Sequence, residues 1–196
     1  MRPRLAPDAR DEPHSAASPA TEYHSKITVI RESELSVDAS TEALQEAAEL
    51  WNTLSGAGFI QAMIDKRLPE ISDISDYIGQ AVRFAEPGRV DIAWTPEDKL
   101  CNPGGTVHGG YIAMILDNAV CLAASSTCDR FMPMLTLNLN VDYLRGVQSG
   151  QTYTVTGTCL HPGGTRMVSN ALVTDPQGRP VAQASASVIP NKAFAR

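Results

Sequence analysis

The sequence predicts an α+β domain in which one antiparallel sheet curls around one buried helix. Three observations carry this. Tyr111–Ala124 is an almost wholly apolar run, and a helix apolar on every side has to be enclosed. Leu135, Leu137, Leu139, Val141 and Tyr143 alternate with Thr136, Asn138, Asn140 and Asp142, the two-residue period of a half-buried strand. The remaining strand-like segments are joined by hairpin signals such as Asp175-Pro176-Gln177-Gly178, where Pro and Gly suit turn positions. Two strands, one helix and four strands make an antiparallel six-stranded sheet wrapped around one long central helix.

Taken in order, residues 1–38 carry Pro3, Pro7, Pro13 and Pro19 among Ala, Ser, Asp and Glu. This composition predicts a disordered or loosely ordered tail, with Ile27, Val29 and Ile30 as a short extended piece able to dock. Residues 39–78 read as a helical extension. Leu44, Ala47, Ala48, Trp51 and Leu54 fall at helical steps, with Ser40 as N-cap and Gly56 as stop. A second helix over Gly58–Lys66 gathers Phe59, Ile60, Met63 and Ile64 on one side, and Pro69 ends it,. Glu70–Tyr77 is short and acidic and reads as a connecting loop.

The main domain is expected over 79–190. Ala81–Ala85 and Val90–Trp94 are strands around the turn Glu86-Pro87-Gly88-Arg89, and a loop over 95–107 leads to the apolar helix,. After the alternating strand come Tyr153–Leu160, Met167–Val173 and Val181–Ile189, closed by Pro190,. Residues 191–196 form a C-terminal tail. A helix with apolar flank left over calls for a second subunit, so a dimer is expected.

With 196 residues and a net charge of −6, the chain is not expected to bind nucleic acid or an anionic membrane surface. The apolar run is too short for a bilayer. No apolar signal-peptide core is evident at the N-terminus. Cys101, Cys121, Cys128 and Cys159 lack metal-knuckle spacing and read as reduced thiols of a cytoplasmic protein. His14, His24, His108 and His161 are too scattered for a metal site,. No nucleophile elbow, phosphate loop or dinucleotide fingerprint is present.

The chemistry concentrates in Asn102-Pro103-Gly104-Gly105-Thr106-Val107-His108-Gly109-Gly110 and the helix after it. That helix contains Asp117, and a carboxylate among apolar side chains is costly unless bonded or solvated. Asp117 either caps something local or pairs with a distant arginine, or it is a base or nucleophile in a cleft; the absence of Lys or Arg one turn away favours the second. The Gly109 N–H at a helix start has the equipment of an oxyanion hole. His108 is equally a structural histidine or a catalytic part. Eight residues of helix separate Gly109 and Asp117 by roughly 12 Å, too far for one carbonyl to touch both. If they act together, two antiparallel copies of the helix must share the site.

The N-P-G-G-T-V-H-G-G-x6-D-N pattern, the T-L-N-L-N-V-D-Y-L-R strand and the Gly-Gly-Thr-Arg hairpin resemble the PaaI-like hotdog-fold acyl-CoA thioesterases. The resemblance covers about residues 79–190. It implies a hotdog fold and hydrolysis of an acyl-CoA to free acid and thiol, with coenzyme A as part of the substrate and no other cofactor. It implies that Gly109 N–H binds the thioester oxygen, that Asp117 attacks the acyl carbon or activates water, that Asn102 orients thioester or water, and that Thr136 helps hold water. It further implies that Asn102 and Gly109 come from one subunit and Asp117 and Thr136 from the other, in a homodimer or dimer of dimers. Arg145 and Arg166 are candidates to meet coenzyme A phosphates, or are solvated surface charges. Met114, Leu122 or the N-terminal helices are candidates to line the acyl slot; the helices over 40–66 either lid it or pack on the sheet edge, with packing favoured. A non-catalytic acyl-CoA-binding or regulatory domain is the main alternative. A hotdog hydratase or dehydratase is disfavoured because no His follows Asp117 in the helix.

Overall fold

The computed structural model of the chain describes residues 37–68 and 73–194, without the side chains of 37–44, 73 and 194. The tail expected over 1–38, with Ile27, Val29 and Ile30, lies outside these residues except for Val37 and Asp38. Three helices come first: α1 (Val37–Thr53), α2 (Gly56–Ile64) and α3 (Asp73–Ile78). Then follow β1 (Gln80–Glu86), β2 (Arg89–Trp94), a 3-10 turn over Asp98–Leu100, α4 (Gly109–Ser125), β3 (Met134–Tyr143), β4 (Tyr153–His161), β5 (Met167–Thr174) and β6 (Pro180–Pro190). The six strands form one antiparallel sheet in the order β1-β2-β4-β5-β6-β3. A last 3-10 turn, Lys192–Phe194, gives the C-terminal tail local structure, and Asn191 N–H bonds Pro133 O at 2.8 Å.

The sheet curls around α4 because that helix packs its apolar face against the inner face of the strands. Ile115, Leu116, Ala119, Val120, Ala123 and Ala124 are fully buried against Ile92, Trp94, Tyr153, Val155, Val173 and Val188. Each large apolar side chain so buried is worth about 1.5–3 kcal/mol. The approach is closest at Gly157 in β4. A Cβ built there would stand 2.2 Å from the Ala119 carbonyl oxygen, so only glycine lets the helix lie on the sheet at this distance.

The N-terminal helices follow the sequence with three corrections. α1 starts at Val37, so Ser40 is inside its first turn and is not the N-cap. Gly56 opens α2 rather than stopping α1. Ser55 is the cap of α2, its Oγ accepting from Gly58 N–H at 3.1 Å, and Gly56 N–H bonds Cys128 O at 2.8 Å. The expected loop over 70–77 contains α3. That short acidic segment has little intrinsic reason to be helical, but its last residue, Ile78, is buried and its carbonyl accepts Trp94 Nε1–H at 2.8 Å. Gly79 ends α3 at φ 73° with no room for a Cβ beside Thr95 O. α1 and α2 pack through an aromatic cluster of Trp51, Phe59 and Phe131, with Phe59 and Phe131 stacked at 4.3 Å.

The alternation in β3 is interrupted. The register shifts between Thr136 and Asn138, and this bulge changes which side chains face the core. Leu139 and Val141 pack against it, whereas Leu135, Leu137 and Tyr143 are 48%, 56% and 54% exposed. β3 is also an edge of the sheet. A single chain therefore leaves an apolar edge strand uncovered. Along α4, Tyr111, Met114, Asp117, Asn118, Cys121 and Leu122 are only half-buried, so the helix is enclosed on the sheet side and not all round.

Gly157→Ala tests the helix–sheet contact. The added methyl must push α4 off β4, and overpacking of this kind costs about 1–3 kcal/mol or more. Urea unfolding should show a lower midpoint than the parent chain, and an equal midpoint would show that the contact can relax.

Candidate active site

The site grows from the loop that delivers the chain into α4. Leu100 and Val107 are buried, and a bridge between Cys101 and Val107 closes the loop on itself. Asn102 shapes it from inside: its N–H donates to Thr106 O at 2.8 Å, its Oδ1 accepts Gly104 N–H at 2.9 Å, and its Nδ2 donates to Thr106 Oγ1 at 3.1 Å. One amide hydrogen and one Oδ1 lone pair are left over, so Asn102 can still donate to a ligand or accept from one. Val107 N–H bonds Val147 O at 2.9 Å and His108 N–H bonds Leu100 O at 2.8 Å, fixing the residue that starts the helix.

His108 is the N-cap of α4. Its Nδ1 accepts the Gly110 N–H at 3.0 Å, so the neutral ring carries its proton on Nε2. This is a structural job, and the sequence left it level with a catalytic one. Gly109 N–H has no hydrogen-bond partner among the described residues, while the Gly109 carbonyl accepts the Tyr143 hydroxyl at 3.0 Å. The helix dipole adds partial positive charge at the open N–H. A donor free, oriented and held from behind can receive a developing negative oxygen.

Further along α4, Asp117 Oδ1 accepts the Thr136 hydroxyl at 2.7 Å. Thr136 lies on β3 just before the bulge, so α4 and the sheet edge position this pair together. Cys121, one helical turn after Asp117, approaches Thr136 Oγ1 at 3.4 Å. Because that hydroxyl gives its proton to Asp117, the thiol is the donor in the second contact. Burial pushes the Cys121 thiol up to about 11, the Thr136 hydrogen bond pulls the other way and the Asp117 charge raises it further. The thiol is therefore a neutral neighbour of the carboxylate and not a nucleophile at ordinary pH.

Two clefts flank the start of α4. One, about 350 Å³, is lined by Val107, Gly109, Tyr143, Arg145 and Val147 among others. The other, about 410 Å³, is lined by His108, Gly110, Tyr111 and Met114. The Gly109–Gly110 ridge divides them. Arg145 lines the first cleft and donates to Pro180 O. Arg166 lines neither; it bonds Ser187 Oγ at 2.6 Å. Pro180 and Ser187 are seven residues apart on one strand, roughly 23 Å, so one phosphate cannot meet both arginines of a chain. Among the described residues no group of His, Cys, Asp and Glu could hold a metal ion.

Residues 104–182 match the family model described as Thioesterase superfamily. Human "Acyl-coenzyme A thioesterase 13" is 29% identical over 91 residues, 46% of this chain and 64% of that relative. The chain thus spans slightly less than two thirds of that relative's length. A Streptococcus mutans protein, smu.793, solved bound to acetyl CoA, superposes with a TM-score of 0.54 at 29% identity, over 58% of this chain and 89% of that one. The PaaI protein of the E. coli phenylacetic acid degradation operon matches in fold, with a TM-score of 0.59 at 19% identity over 74% of this chain and 95% of that one. The hotdog fold expected from the sequence is the observed one. No helix among the described residues is long and apolar enough to cross a membrane.

The sequence had pointed to Asp117, Thr136, Gly109, His108 and Asn102. The structure joins the first two directly and puts the other three in one loop-to-helix unit. Cys121 and Tyr143 were not singled out. Cys121 was within reach, since four residues after Asp117 is the same helix face. Nothing local tied Tyr143 to Gly109, because that contact spans 34 positions.

The thiol provides a check on the Asp117 surroundings. A group whose pKa is raised from 9.0 to about 11 in the fold keeps its proton, and its full stabilising effect, below the unfolded value; that effect is lost as pH rises through 9 to 11. Iodoacetamide labelling followed by mass mapping should leave Cys121 largely unmodified at pH 8 and modify it progressively toward pH 11. Rapid labelling at pH 8 would contradict the protected environment.

Proposed function

We propose that the protein hydrolyses acyl-CoA thioesters to free acid and coenzyme A at sites shared between two subunits. The Thr136–Asp117 hydrogen bond carries this reading. It orients a half-buried carboxylate on the flank of a helix whose first N–H, at Gly109, is open. A thioester carbonyl is electrophilic and its thiolate leaves readily, so an oxyanion donor and a carboxylate suffice without a serine triad. The carbonyl oxygen would take the Gly109 N–H. Asp117 of the opposite subunit either removes a proton from water as the water oxygen adds to the acyl carbon, or adds to that carbon itself. The C–S bond then breaks, its electron pair leaving with sulfur, and the thiolate takes up a proton; where Asp117 has added to the carbon, water then cleaves the resulting anhydride, releasing the acid and restoring the carboxylate. Asn102 and Thr136 would orient the thioester and the water. No cofactor is required.

The separation of Gly109 and Asp117, roughly 12 Å along one helix, supports the shared site. So do the exposed apolar edge at β3 and the half-buried flank of α4, which a second copy would cover. Arg145 beside Gly109 supports entry of the coenzyme A moiety through the first cleft, with the acyl group across the glycine ridge in the second.

Two experiments test this. Thiol release from a panel of acyl-CoAs should fall by about two to four orders of magnitude in Asp117→Ala, with the far-UV CD spectrum unchanged; parent-level turnover would remove Asp117 from the mechanism. Sedimentation velocity during turnover should show a dimer or larger species, and an active monomer would overturn the shared site.

A further inference from the structure

We propose that Tyr77, on α3 of the N-terminal extension, is a specificity-determining residue that limits the length of the acyl group. This rests on the acyl-CoA reading above and assigns the second cleft its end wall. α3 is anchored by the buried Ile78 and the Trp94 hydrogen bond to its carbonyl. The residue before that anchor, Tyr77, reaches across to α4, its hydroxyl 3.5 Å from the Tyr111 hydroxyl and the ring centroids 6.3 Å apart. Tyr111 in turn lines the cleft with His108, Gly110 and Met114, and its ring meets the His108 ring edge-on at 6.5 Å. From the other side, Lys99 Nζ sits 4.8 Å above the Tyr77 ring, a cation–π contact that ties the ring to the loop carrying Asn102.

A second connection one helical repeat along α4 holds the same flank. Asn118 Nδ2 donates to Gln80 Oε1 at 3.1 Å, and Gln80 Nε2 donates to Ser75 Oγ at 3.0 Å. Tyr111 and Asn118 are seven residues apart and so lie on one stripe of the helix, with Met114 between them. α3 is thus fixed at both ends of the stripe that borders the cleft. An acyl chain that starts at Gly110 and lies in this cleft meets Tyr111 backed by Tyr77. Short acyl groups end before this wall and long ones meet it.

The test compares parent, Tyr77→Ala, Tyr77→Phe and Tyr77→Trp on acetyl-, hexanoyl-, dodecanoyl- and palmitoyl-CoA, with kcat and KM separated. Tyr77→Ala should raise the long-to-short ratio of kcat/KM by about tenfold or more, a selectivity in the range that a few methylenes command, mainly through KM for the long substrates. Tyr77→Phe keeps the ring and should keep the parent profile. Tyr77→Trp should lower the ratio. An unchanged ratio in both Tyr77→Ala and Tyr77→Trp overturns the proposal, as does a uniform loss across all lengths, which is what a merely structural role gives. Calorimetric binding of the matching S-alkyl-CoA thioethers, which cannot be hydrolysed, separates this from the catalytic reading. If the parent turns over no thioester while Tyr77→Ala shifts the thioether length preference, hydrolysis is wrong and the wall stands. If the parent binds no thioether, the wall is wrong.

Discussion

The close seating of α4 on the sheet is the constraint from which the rest follows. Gly157 and the Ala119 carbonyl meet at a distance that admits no side chain, and the buried face of the helix is filled by residues too apolar to be left in water. Once that face is committed, the azimuth of every other residue on the helix is fixed. Asp117 can point only to the flank where β3 passes, and there it finds Thr136. The N-terminus can emerge only where Tyr143 and the loop before the helix can grip it. The positions of the functional groups are consequences of packing, which makes them stiff.

One helix thus presents two kinds of electrostatics at two places. Its start offers an open N–H backed by the helix dipole, and its middle offers a negative carboxylate held by a hydroxyl. The two have opposite sign and are complementary to one polarised carbonyl and its attacker, but a straight helix keeps them apart. An antiparallel second copy is the simplest way to bring them together, because the two-fold operation carries the start of each helix toward the middle of the other.

Much of the fold was legible because its signals are local. The apolar helix, the hairpin turns and the later strands each rest on periodicity or turn chemistry within about ten residues. The failures share a cause. α3 is helical through a tertiary bond from Trp94 to Ile78, sixteen positions away, and the bulge in β3 breaks an alternation that looked continuous because its sequence contains no Gly or Pro to mark it. In the site, Asp117 stood out by polarity alone, and glycines flagged the helix start. Tyr143, Tyr77 and the Ser75–Gln80–Asn118 chain carry no such mark. They are ordinary residues whose significance comes from what long-range contact sets beside them.

Holding the open N–H at the start of α4 still is where these long-range contacts converge. A backbone N–H stabilises a transition state only if it does not have to reorganise when charge develops, and a helix terminus is normally where a helix frays. Here the first turn is secured from several directions: His108 caps it, Tyr143 takes the Gly109 carbonyl, and backbone bonds from Leu100 and Val147 fix the approach. His108 therefore shapes the helix start through its capping bond alone. Its acceptor nitrogen occupies the Gly110 N–H and leaves the neighbouring Gly109 N–H as the open one, so the cap selects which donor faces the cleft. The extension continues the same logic outward, since Lys99 and Tyr111 bring the loop and the helix start against a single ring on α3. On the proposed reading, α3 governs which substrates reach the Gly109 N–H because it is built into the wall beside it.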